Sequence, residues 1–409
     1  MKRVITLSLL TATLAFATNG DNMIGVGAQS RAMGGAGVGM GIGTDSVFRN
    51  PAWIVDLKGF NASFGATAFM PTVTATVGPM FGGNGSTTTS DADFSIIPTV
   101  SHSDHISENL SYGVGMFGVS GMGVDYRNET DMGLGNMRTS LQFMRFVPSL
   151  SYKMDDLRLG AGLTVAYGAL NMAAITPSNP ADPMNTSAQR SGGLSEDIGF
   201  GAQLGLGYHV TPSFTVGAYY QTQVDMTYDD VFDFDAGNMQ NGYDDLDLSQ
   251  PAEAGIGFGY TSSCKCYSVT FEYRRIMWSD ADGYDAFQWD DQDVFVLGGS
   301  YKATDALTLR AGYNYAESPL HDKTFTTATV GGVPFQPGNI AYFNALGFPA
   351  YSDSHITGGL SYQISKSTGL DVAYVYAPEV EETVDFGGGA NVAATNEQNS
   401  ITVALNFKF

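Results

Sequence analysis

The sequence contains few cysteines and few charged residues. Two of its 409 residues are cysteine, Cys264 and Cys266, and 15% are charged. So few cysteines exclude a scaffold held together by several disulfides. A bridge across one intervening residue closes almost no loop and adds little stability, so we interpret the pair either as such a bridge or as free thiols in a turn. A metal or redox role is disfavoured because no further Cys or His lies nearby in the sequence.

Long apolar runs are missing after the N-terminus, and basic residues are scarce. A membrane-spanning helix needs about 20 apolar residues in succession, so any crossing of a bilayer must use strands that close into a barrel. The 19 Lys and Arg residues are outnumbered by 41 Asp and Glu, which gives a net charge of −22. This balance excludes nucleic acid as a partner, because the phosphate backbone requires a basic surface.

Catalytic signatures are missing as well. No serine lies in a nucleophile elbow, and the glycines that begin at Gly25 lack the preceding strand and the Lys-Ser/Thr pair of a nucleotide loop. The acidic stretch from Asp229 to Asp247 lacks the ordered spacing of a calcium loop. We therefore predict no enzymatic activity, no cofactor and no metal site, since the histidines are also scattered: His102, His105, His209, His321 and His355.

The first 17 residues have the pattern of an export signal. A basic dipeptide precedes an apolar run from Val4 to Leu10, and Ala15-Phe16-Ala17 is a small-x-small cleavage site. We expect this signal peptide, residues 1–17, to be removed so that the mature chain begins at Thr18.

The rest of the chain is rich in glycine and aromatic residues, with 51 Gly, 21 Tyr and 25 Phe. Apolar and polar residues alternate over segments that are longer than the strands of most soluble sheets, which indicates tilted crossings of a bilayer. Residues 58–409 are therefore predicted to form an all-β, transmembrane antiparallel β-barrel of 14 strands, at roughly 59–72, 93–102, 109–126, 137–153, 156–171, 195–210, 212–228, 249–262, 265–278, 289–302, 305–317, 352–366, 368–383 and 397–409.

The connections between these segments alternate between short and long. Short turns such as Met154-Asp155 and Thr211-Pro212 alternate with long polar segments such as 172–194 and 318–351. Outer-membrane barrels have short periplasmic turns and long external loops, so we predict an outer-membrane location with both termini on the periplasmic side. The aromatic ending at Phe409 resembles the C-terminal strand of proteins that the outer-membrane assembly machinery inserts, which implies that machinery as a partner.

The stretch from Gly25 to Leu57 has neither strand alternation nor a helical apolar face, and it is very rich in glycine. Such a segment gains little from its own burial and needs an external container. We predict that residues 18–57 form an N-terminal plug, or hatch, inside the barrel. The order of Ser30-Arg31-Ala32-Met33-Gly34-Gly35, an acidic-polar stretch and Asn50-Pro51-Ala52 resembles the hatch of the FadL family of outer-membrane transporters for long-chain fatty acids and related hydrophobic compounds.

This resemblance implies passive uptake of a hydrophobic small molecule, by capture at external loops, binding in the lumen and sideways exit into the lipid of the outer membrane. In the family a kink in the third strand opens the wall beside the NPA motif. Gly121 is the candidate for that kink, with Gly118 and Gly123 as alternates, because glycine within a strand marks a bend or bulge. These glycines could instead only make room for large neighbours. A structural or adhesive barrel without transport is the alternative function.

Ligand-binding candidates come from the inferred lumen face and from one external loop. Arginines on the lumen face could bind a substrate carboxylate or belong to a paired charge network, and the apolar residues of 318–351 could form a ligand groove or pack on other loops. Family members have a basic residue near the ligand head group, but this chain has Ala166-Tyr167-Gly168-Ala169 there, so neutral hydrocarbons remain open as ligands. The candidates are Arg145, Arg158, Arg274, Arg310, Phe335, Phe343 and Phe348.

Overall fold

The computed structural model describes residues 18–177, 187–234, 242–387 and 390–409. The predicted signal peptide, residues 1–17, lies outside the described residues. Within the described ranges, no helix is both long enough and apolar enough to span a membrane.

Fourteen long strands form a closed wall, which confirms the predicted barrel. Each strand pairs antiparallel with the next one in the sequence, and the last strand pairs with the first. The strands are β1 Asn61–Val77, β2 Ser95–Ser107, β3 Leu110–Asp125, β4 Arg138–Met154, β5 Leu157–Ala173, β6 Gly193–Thr211, β7 Phe214–Gln221, β8 Glu253–Thr261, β9 Tyr267–Ile276, β10 Gln292–Lys302, β11 Leu307–Ala316, β12 Ser354–Gln363, β13 Thr368–Gly387 and β14 Ala390–Lys408.

The wall has an apolar outer face and a more polar inner face. In β5 the outward Leu159 and Leu163 are 42% and 64% exposed, whereas the inward Arg158 is only 6% exposed. This arrangement is the reverse of a soluble sheet and fits a wall that faces lipid. Every strand contributes at least one large apolar side chain to the outer face, as with Phe64, Ile96, Met116, Phe146, Leu163, Phe200, Tyr220, Phe258, Phe271, Leu297, Tyr313, Ile356, Tyr374 and Val403.

The other elements are short. The described residues include three α-helices, α1 Ala28–Ala32, α2 Ser46–Arg49 and α3 Pro337–Gly347, and 3-10 turns at Pro51–Asp56, Pro79–Phe81, Met132–Leu134 and Trp278–Asp280. Short strands outside the wall occur at Thr18–Asn19, Asn22–Met23, Thr87–Thr89, Ile175–Pro177, Ser187–Gln189, Thr227–Phe232, Asp244–Asp247, Ala328–Val330 and Val333–Phe335. The segment 318–351, predicted as a loop, therefore contains a small hairpin and α3.

Several predicted strand limits were wrong at the end of the barrel opposite the short turns. β1 continues to Val77 and β14 begins at Ala390, whereas the sequence indicated 72 and 397. Side chains in both extensions still alternate between the two faces of the wall. The inward residues there are apolar, however, such as Val73 and Val392, so these extensions lack the contrast between apolar and polar residues that marks the rest of the strands. β7 was predicted to reach 228 but ends at Gln221, because the chain leaves the wall and 227–232 pairs with 244–247 in a separate hairpin.

The connections from β2 to β3, β4 to β5, β6 to β7, β8 to β9, β10 to β11 and β12 to β13 are short turns at one end of the barrel, which also holds the C-terminal Phe409. The turn between β8 and β9 contains a disulfide between Cys264 and Cys266. Of the two interpretations of this pair, the structure has the bridge.

Candidate functional site

The N-terminal segment, residues 18–57, is almost entirely buried against inward-facing wall residues. Backbone N–H groups of Gly37, Val38 and Gly39 all donate to one carboxylate oxygen of Glu272 on β9, at 2.8 to 3.1 Å. A glycine-rich backbone makes this possible, because its amides can converge on a single anion without side-chain obstruction. On the opposite wall, Arg31 in α1 donates to Ser400 Oγ of β14 at 2.6 Å.

A buried charge cluster joins this segment to the wall at β8 and β9. Arg49 in α2 lies 2.6 Å from Glu253 Oε1, and Arg274 lies 3.6 Å from the same oxygen. Arg274 also donates to the carbonyl oxygen of Ile24 at 3.2 Å, and the Tyr219 hydroxyl donates to Glu253. Two cations therefore share one carboxylate, and removing that carboxylate would leave both uncompensated.

The other three candidate arginines lie apart from one another. Arg145 donates to Gln221, and its guanidinium lies 5.5 Å from the centre of the Phe143 ring. Arg158 pairs with Asp56 at 2.8 Å. Arg145 and Arg158, like Arg274, are thus already engaged with protein groups.

Arg310 lies at the end of the barrel that holds the short turns. It donates to Ser361 and, at 3.1 Å, to Gln29 of the N-terminal segment, while Gln29 and Asn406 both donate to Asp371. These residues line a polar cavity of about 450 Å³ between the segment and β11 to β14. The cavity is open to solvent water at this end, so Arg310 is not placed to meet a ligand that arrives through the external loops.

The Asn50-Pro51-Ala52 motif anchors the end of the segment to β4 and β6. The Asn50 side chain caps the following 3-10 turn by accepting from Ala52 N at 3.1 Å, and it donates to Leu206 O of β6 at 3.0 Å. Ser151 Oγ of β4 donates to Ala52 O at 2.8 Å. The motif comes so close to the wall that a Cβ at Gly205 would lie 2.9 Å from the Pro51 ring.

The wall is interrupted between β2 and β3. Their pairing runs from Ser107 opposite Leu110 to Thr99 opposite Phe117 and stops there, although β2 continues to pair with β1 as far as Ser95. Beyond this point β4 is the only wall strand that pairs with β3, and this pairing has a register shift between Gly118 and Ser120. The candidate residues Gly118, Gly121 and Gly123 all lie in this half-paired stretch.

The first residues of the N-terminal segment lie at this gap. Asn22 forms a bridge with Ser120, and Gly121 N donates to Asp21 O at 3.1 Å. The resemblance implied that Asn50-Pro51-Ala52 would lie beside Gly121. That placement was wrong, because the motif is held by β4 and β6, and the bulged stretch of β3 is instead met by Asp21 and Asn22, six to seven residues before α1.

Two clusters of aromatic rings fill the barrel end that carries the long loops. Trp278, Tyr284 and Trp289 form one triangle with ring centres 4.6 to 5.1 Å apart. Phe287, Phe343 and Phe348 form a second one, at 4.9 to 6.2 Å. The structure thus brings the candidates Phe343 and Phe348 together, whereas Phe335 contacts Phe234 instead.

Hydrogen bonds fix α3 across this end of the barrel. Trp289 Nε1 donates to Asn344 Oδ1 at 3.1 Å, and Thr139 Oγ1 of β4 donates to the carbonyl oxygen of Gly347 at 2.6 Å. Asn396 of β14 donates to Pro349 O at 2.9 Å. The long loop therefore reaches from β11 to both β4 and β14 across this end of the barrel.

Two buried carboxylates belong to the N-terminal segment. Burial raises the pKa of Asp21 to about 6, although the hydrogen bond that its carboxylate accepts from the Tyr284 hydroxyl opposes this shift. Burial likewise raises the pKa of Asp45 to about 7, against the opposing effect of Ser101 Oγ, which donates to it at 2.7 Å. Both groups therefore change charge close to neutral pH, unlike ordinary aspartates.

One group of possible metal ligands occurs among the described residues, formed by His321, Asp322 and Glu382 in the external region. Asp322 lies 3.3 Å from Nε2 of the imidazole, whereas Glu382 lies 3.8 Å from Nδ1. The two carboxylates thus flank opposite edges of the ring. One ligand atom from each of the three residues lies within 4.8 Å of the others, but exposed acidic groups of this kind are common without an ion.

Sequence reasoning missed two features of the gap. Pro98 lies in β2 directly before the last residue that pairs with β3, and proline within a strand signals an edge or an interruption. Asp21 and Asn22 gave no such signal, because their role depends on where the chain docks. Trp278 and Trp289, two of only three tryptophans in the chain, were also missed, although their rarity was visible.

Known proteins of similar sequence and structure are outer-membrane proteins. A family model described as outer membrane protein transport protein (OMPP1/FadL/TodX) matches residues 4–330. A 47 kDa outer membrane protein of Pasteurella multocida (strain Pm70) is 23% identical over 406 residues, which cover 89% of this chain and 87% of that protein.

Solved structures have the same fold. The toluene transporter TodX of P. putida aligns with a TM-score of 0.70 at 19% identity over 94% of this chain and 99% of its own. A FadL homologue from Pseudomonas aeruginosa aligns with a TM-score of 0.69 at 16% identity over 95% of this chain and 100% of its own. Because the family model covers most of the sequence, the chain belongs to the OMPP1/FadL/TodX family of outer-membrane transport proteins.

Proposed function

We propose that this protein takes up small neutral hydrophobic molecules across the outer membrane and releases them sideways through the gap between β2 and β3. The observation that carries the proposal is the interrupted pairing of these two strands above Thr99 and Phe117. In lipid an unpaired strand edge is very unfavourable, so a wall that keeps one needs a reason. Passage of an apolar solute into the bilayer is such a reason.

The N-terminal segment supports a sideways route because it acts, in this proposal, as a plug. Its contacts reach β14 through Arg31, β9 through Gly37 to Gly39 and β8 through Arg49. A segment fixed to several sides of the wall blocks direct passage of solutes to the periplasm. The most favourable path for a hydrophobic solute then runs from the aromatic clusters to the gap, because its apolar surface stays out of water along this path.

A neutral ligand fits the charges better than a fatty acid does. Arg158 and Arg274 lie next to carboxylates, Arg145 is bonded to Gln221, and Arg310 lies at the opposite end of the barrel. A ligand carboxylate would have to displace one of these partners and lose part of its hydration. Aromatic rings, in contrast, offer an apolar surface with favourable edge and face contacts for another ring. One of the solved structures with the same fold is a toluene transporter.

Replacing Pro98 with valine tests the route. Valine restores an N–H group and favours a pleated, paired strand, so the β2–β3 ladder should extend towards Gly118 and narrow the gap. Uptake of radiolabelled toluene into cells that express Pro98→Val should fall strongly, while the amount of heat-resistant folded barrel is unchanged. Pro148→Val in the lower half of β4 is the matched control and should transport normally.

Parallel uptake of radiolabelled oleate distinguishes the ligand classes. Oleate uptake that exceeds toluene uptake, relative to cells without the protein, would contradict a neutral ligand but not the route. No uptake of either compound above that of cells lacking the protein would contradict transport and favour a structural or adhesive barrel.

A further inference from the structure

The tip of the N-terminal segment, defined here as residues 18–24, spans the gap in the wall. On one side Asn22 pairs with Ser120 of β3. On the other side Met23 and Ile24 pack against Ile97 of β2 and Phe69 of β1. The tip therefore supplies the contacts that β2 and β3 do not make with each other, and the gap can open only if the tip moves.

Asp21 makes contacts in two directions from this tip. Its carbonyl oxygen accepts from the backbone N–H of Gly121 at 3.1 Å, and its carboxylate accepts from the hydroxyl of Tyr284. Tyr284 belongs to the first aromatic triangle, with its ring 4.6 Å from that of Trp278. The preceding Gly20 has φ +65°, and a Cβ there would lie 2.6 Å from the Trp278 ring. The gap and the aromatic cluster thus meet at one residue.

We propose that Asp21 is the positioning residue that holds the tip in the gap and releases it when its carboxylate is ionised or when Tyr284 is displaced. A hydrophobic ligand that inserts among the rings of the first aromatic triangle would move the Tyr284 hydroxyl and remove the donor from a buried carboxylate. Such a carboxylate without a donor is unstable in a dry environment, so arrival of the ligand would favour exit through the wall. This inference rests on the proposed function, because it explains what would open the gap through which the solute leaves.

The direction of the pH effect follows from burial. The docked Asp21 has a pKa of about 6, above the ordinary value of 3.8, so docking is strongest in acid and weakens as the pH rises from about 3.8 to about 6. The groups that face this carboxylate are Arg145 from β4, Tyr228 and Tyr284, with Ser120 and Gln250 also close. Arginine and tyrosine keep their charge states between pH 5 and pH 7.5.

A cysteine at Met23 reports the position of the tip without any transport assay. Met23 is 5% exposed, so a maleimide reacts with Met23→Cys only when the tip leaves the gap. The reporter is placed in a Cys264→Ser/Cys266→Ser background, in barrels reconstituted into liposomes. Each labelling rate is divided by the rate for the same protein unfolded in urea at the same pH, which cancels the ionisation of the thiol itself.

The normalised rate should be about tenfold higher at pH 7.5 than at pH 5, since a pKa difference of about two units changes the docking equilibrium by that factor over this range. Asp21→Asn should label slowly at both pH values, because a neutral amide keeps an acceptor for Tyr284 without the cost of a buried charge. Tyr284→Phe should label faster than the parent at pH 7.5 and at the parent rate at pH 5, where a protonated carboxyl no longer needs the donor.

Two controls separate this residue from the rest of the segment. Asp45→Asn removes the other carboxylate of raised pKa and should keep the pH dependence of the Met23→Cys reporter. A second reporter, Ser30→Cys, lies in α1, and its normalised rate should stay low at both pH values. Equal rates at pH 5 and pH 7.5, or a pH dependence that survives Asp21→Asn, would overturn the proposal, whereas failure of toluene uptake alone would overturn only the transport function.

Discussion

Two seams of the barrel wall differ in an instructive way. The seam between β14 and β1, which joins the two ends of the barrel chain, pairs without interruption from Asn61 and Lys408 to Val77 and Val392. The seam between β2 and β3 joins neighbours in the sequence, yet it opens halfway. Proximity along the chain therefore does not decide how well two strands pair. The open seam combines Pro98 of β2 with three glycines of β3, Gly118, Gly121 and Gly123. A proline alone does not interrupt a ladder, since Pro71 lies opposite Gln398 within the continuous seam.

The seams also differ in what covers them from inside. The continuous seam contacts the segment only through side chains such as Ser400, which accepts from Arg31. At the open seam the backbone N–H of Gly121 donates to Asp21 O of the segment, and Ser120 forms a backbone bridge with Asn22. Released ladder groups must find partners in a buried site. A segment from elsewhere in the chain can thus take the place of a strand, and it can leave more easily than a strand could.

The largest expected effect comes from removing the buried ion pairs that fix the segment to β8 and β9, on the wall opposite the open seam. Glu253→Ala leaves Arg49 and Arg274 buried without their shared carboxylate and should lower the free energy of unfolding by about 3–5 kcal/mol, measured by urea unfolding in liposomes. The exposed pair of Asp305 with Lys302 is the control, and Asp305→Ala should have almost no effect. Similar losses in both variants would mean that the buried cluster is not what holds the segment.

A proline placed in each seam compares the two directly. Thr402 lies inside the continuous region, opposite Ala373 on one side and Thr67 on the other. Thr402→Pro should cost about 3 kcal/mol or more, because proline removes a ladder hydrogen bond from a central strand. Val119→Pro, at the bulge of β3, should cost less than half as much, because a bulged residue is already outside the ladder. Equal costs in urea unfolding would mean that the bulge is as tightly paired as the continuous seam.

Valine substitutions at two glycines of β3 distinguish a glycine that is needed for close packing from one that is needed for the gap in the wall. A Cβ at Gly123 would collide with the carbonyl of Thr139 on the paired side of β3, so Gly123→Val should cost about 1–3 kcal/mol through overpacking. Gly121→Val should favour a straight strand and reduce toluene uptake with little loss of stability. Normal uptake by a correctly inserted Gly121→Val barrel would remove this residue from the exit.

The smallest effect is expected in the turn between β8 and β9. The Cys264–Cys266 bridge spans two positions in the sequence, so it closes too small a loop to restrict the unfolded chain much. Cys264→Ser/Cys266→Ser should change the free energy of unfolding by less than about 1 kcal/mol and should leave toluene uptake unchanged. A larger change in either measurement would give this turn a role that loop closure does not explain.

The barrel was predictable because its signal is local and repeated. Alternation within each strand, short turns such as Met154-Asp155 and an apolar outer face can be recognised segment by segment. The upper ends of β1 and β14 were misread because Val73 and Val392 face inward under the long loops, where the polarity of the two faces no longer differs. The candidate arginines were assigned correctly to the inner face, but which of them share a partner was not visible from spacing.

The sequence by itself determined the number of strands, the face that each side chain presents and the membrane in which the barrel is stable, since these depend on periodicity and composition. Only the tertiary structure decided that Asp21 and Asn22, rather than Asn50-Pro51-Ala52, lie at the open seam, and that Arg49 and Arg274 share Glu253. The physical reason is that the segment has no periodic pattern of its own. Its path is set by single hydrogen bonds and ion pairs to residues hundreds of positions away, and no local feature of a glycine-rich chain records them.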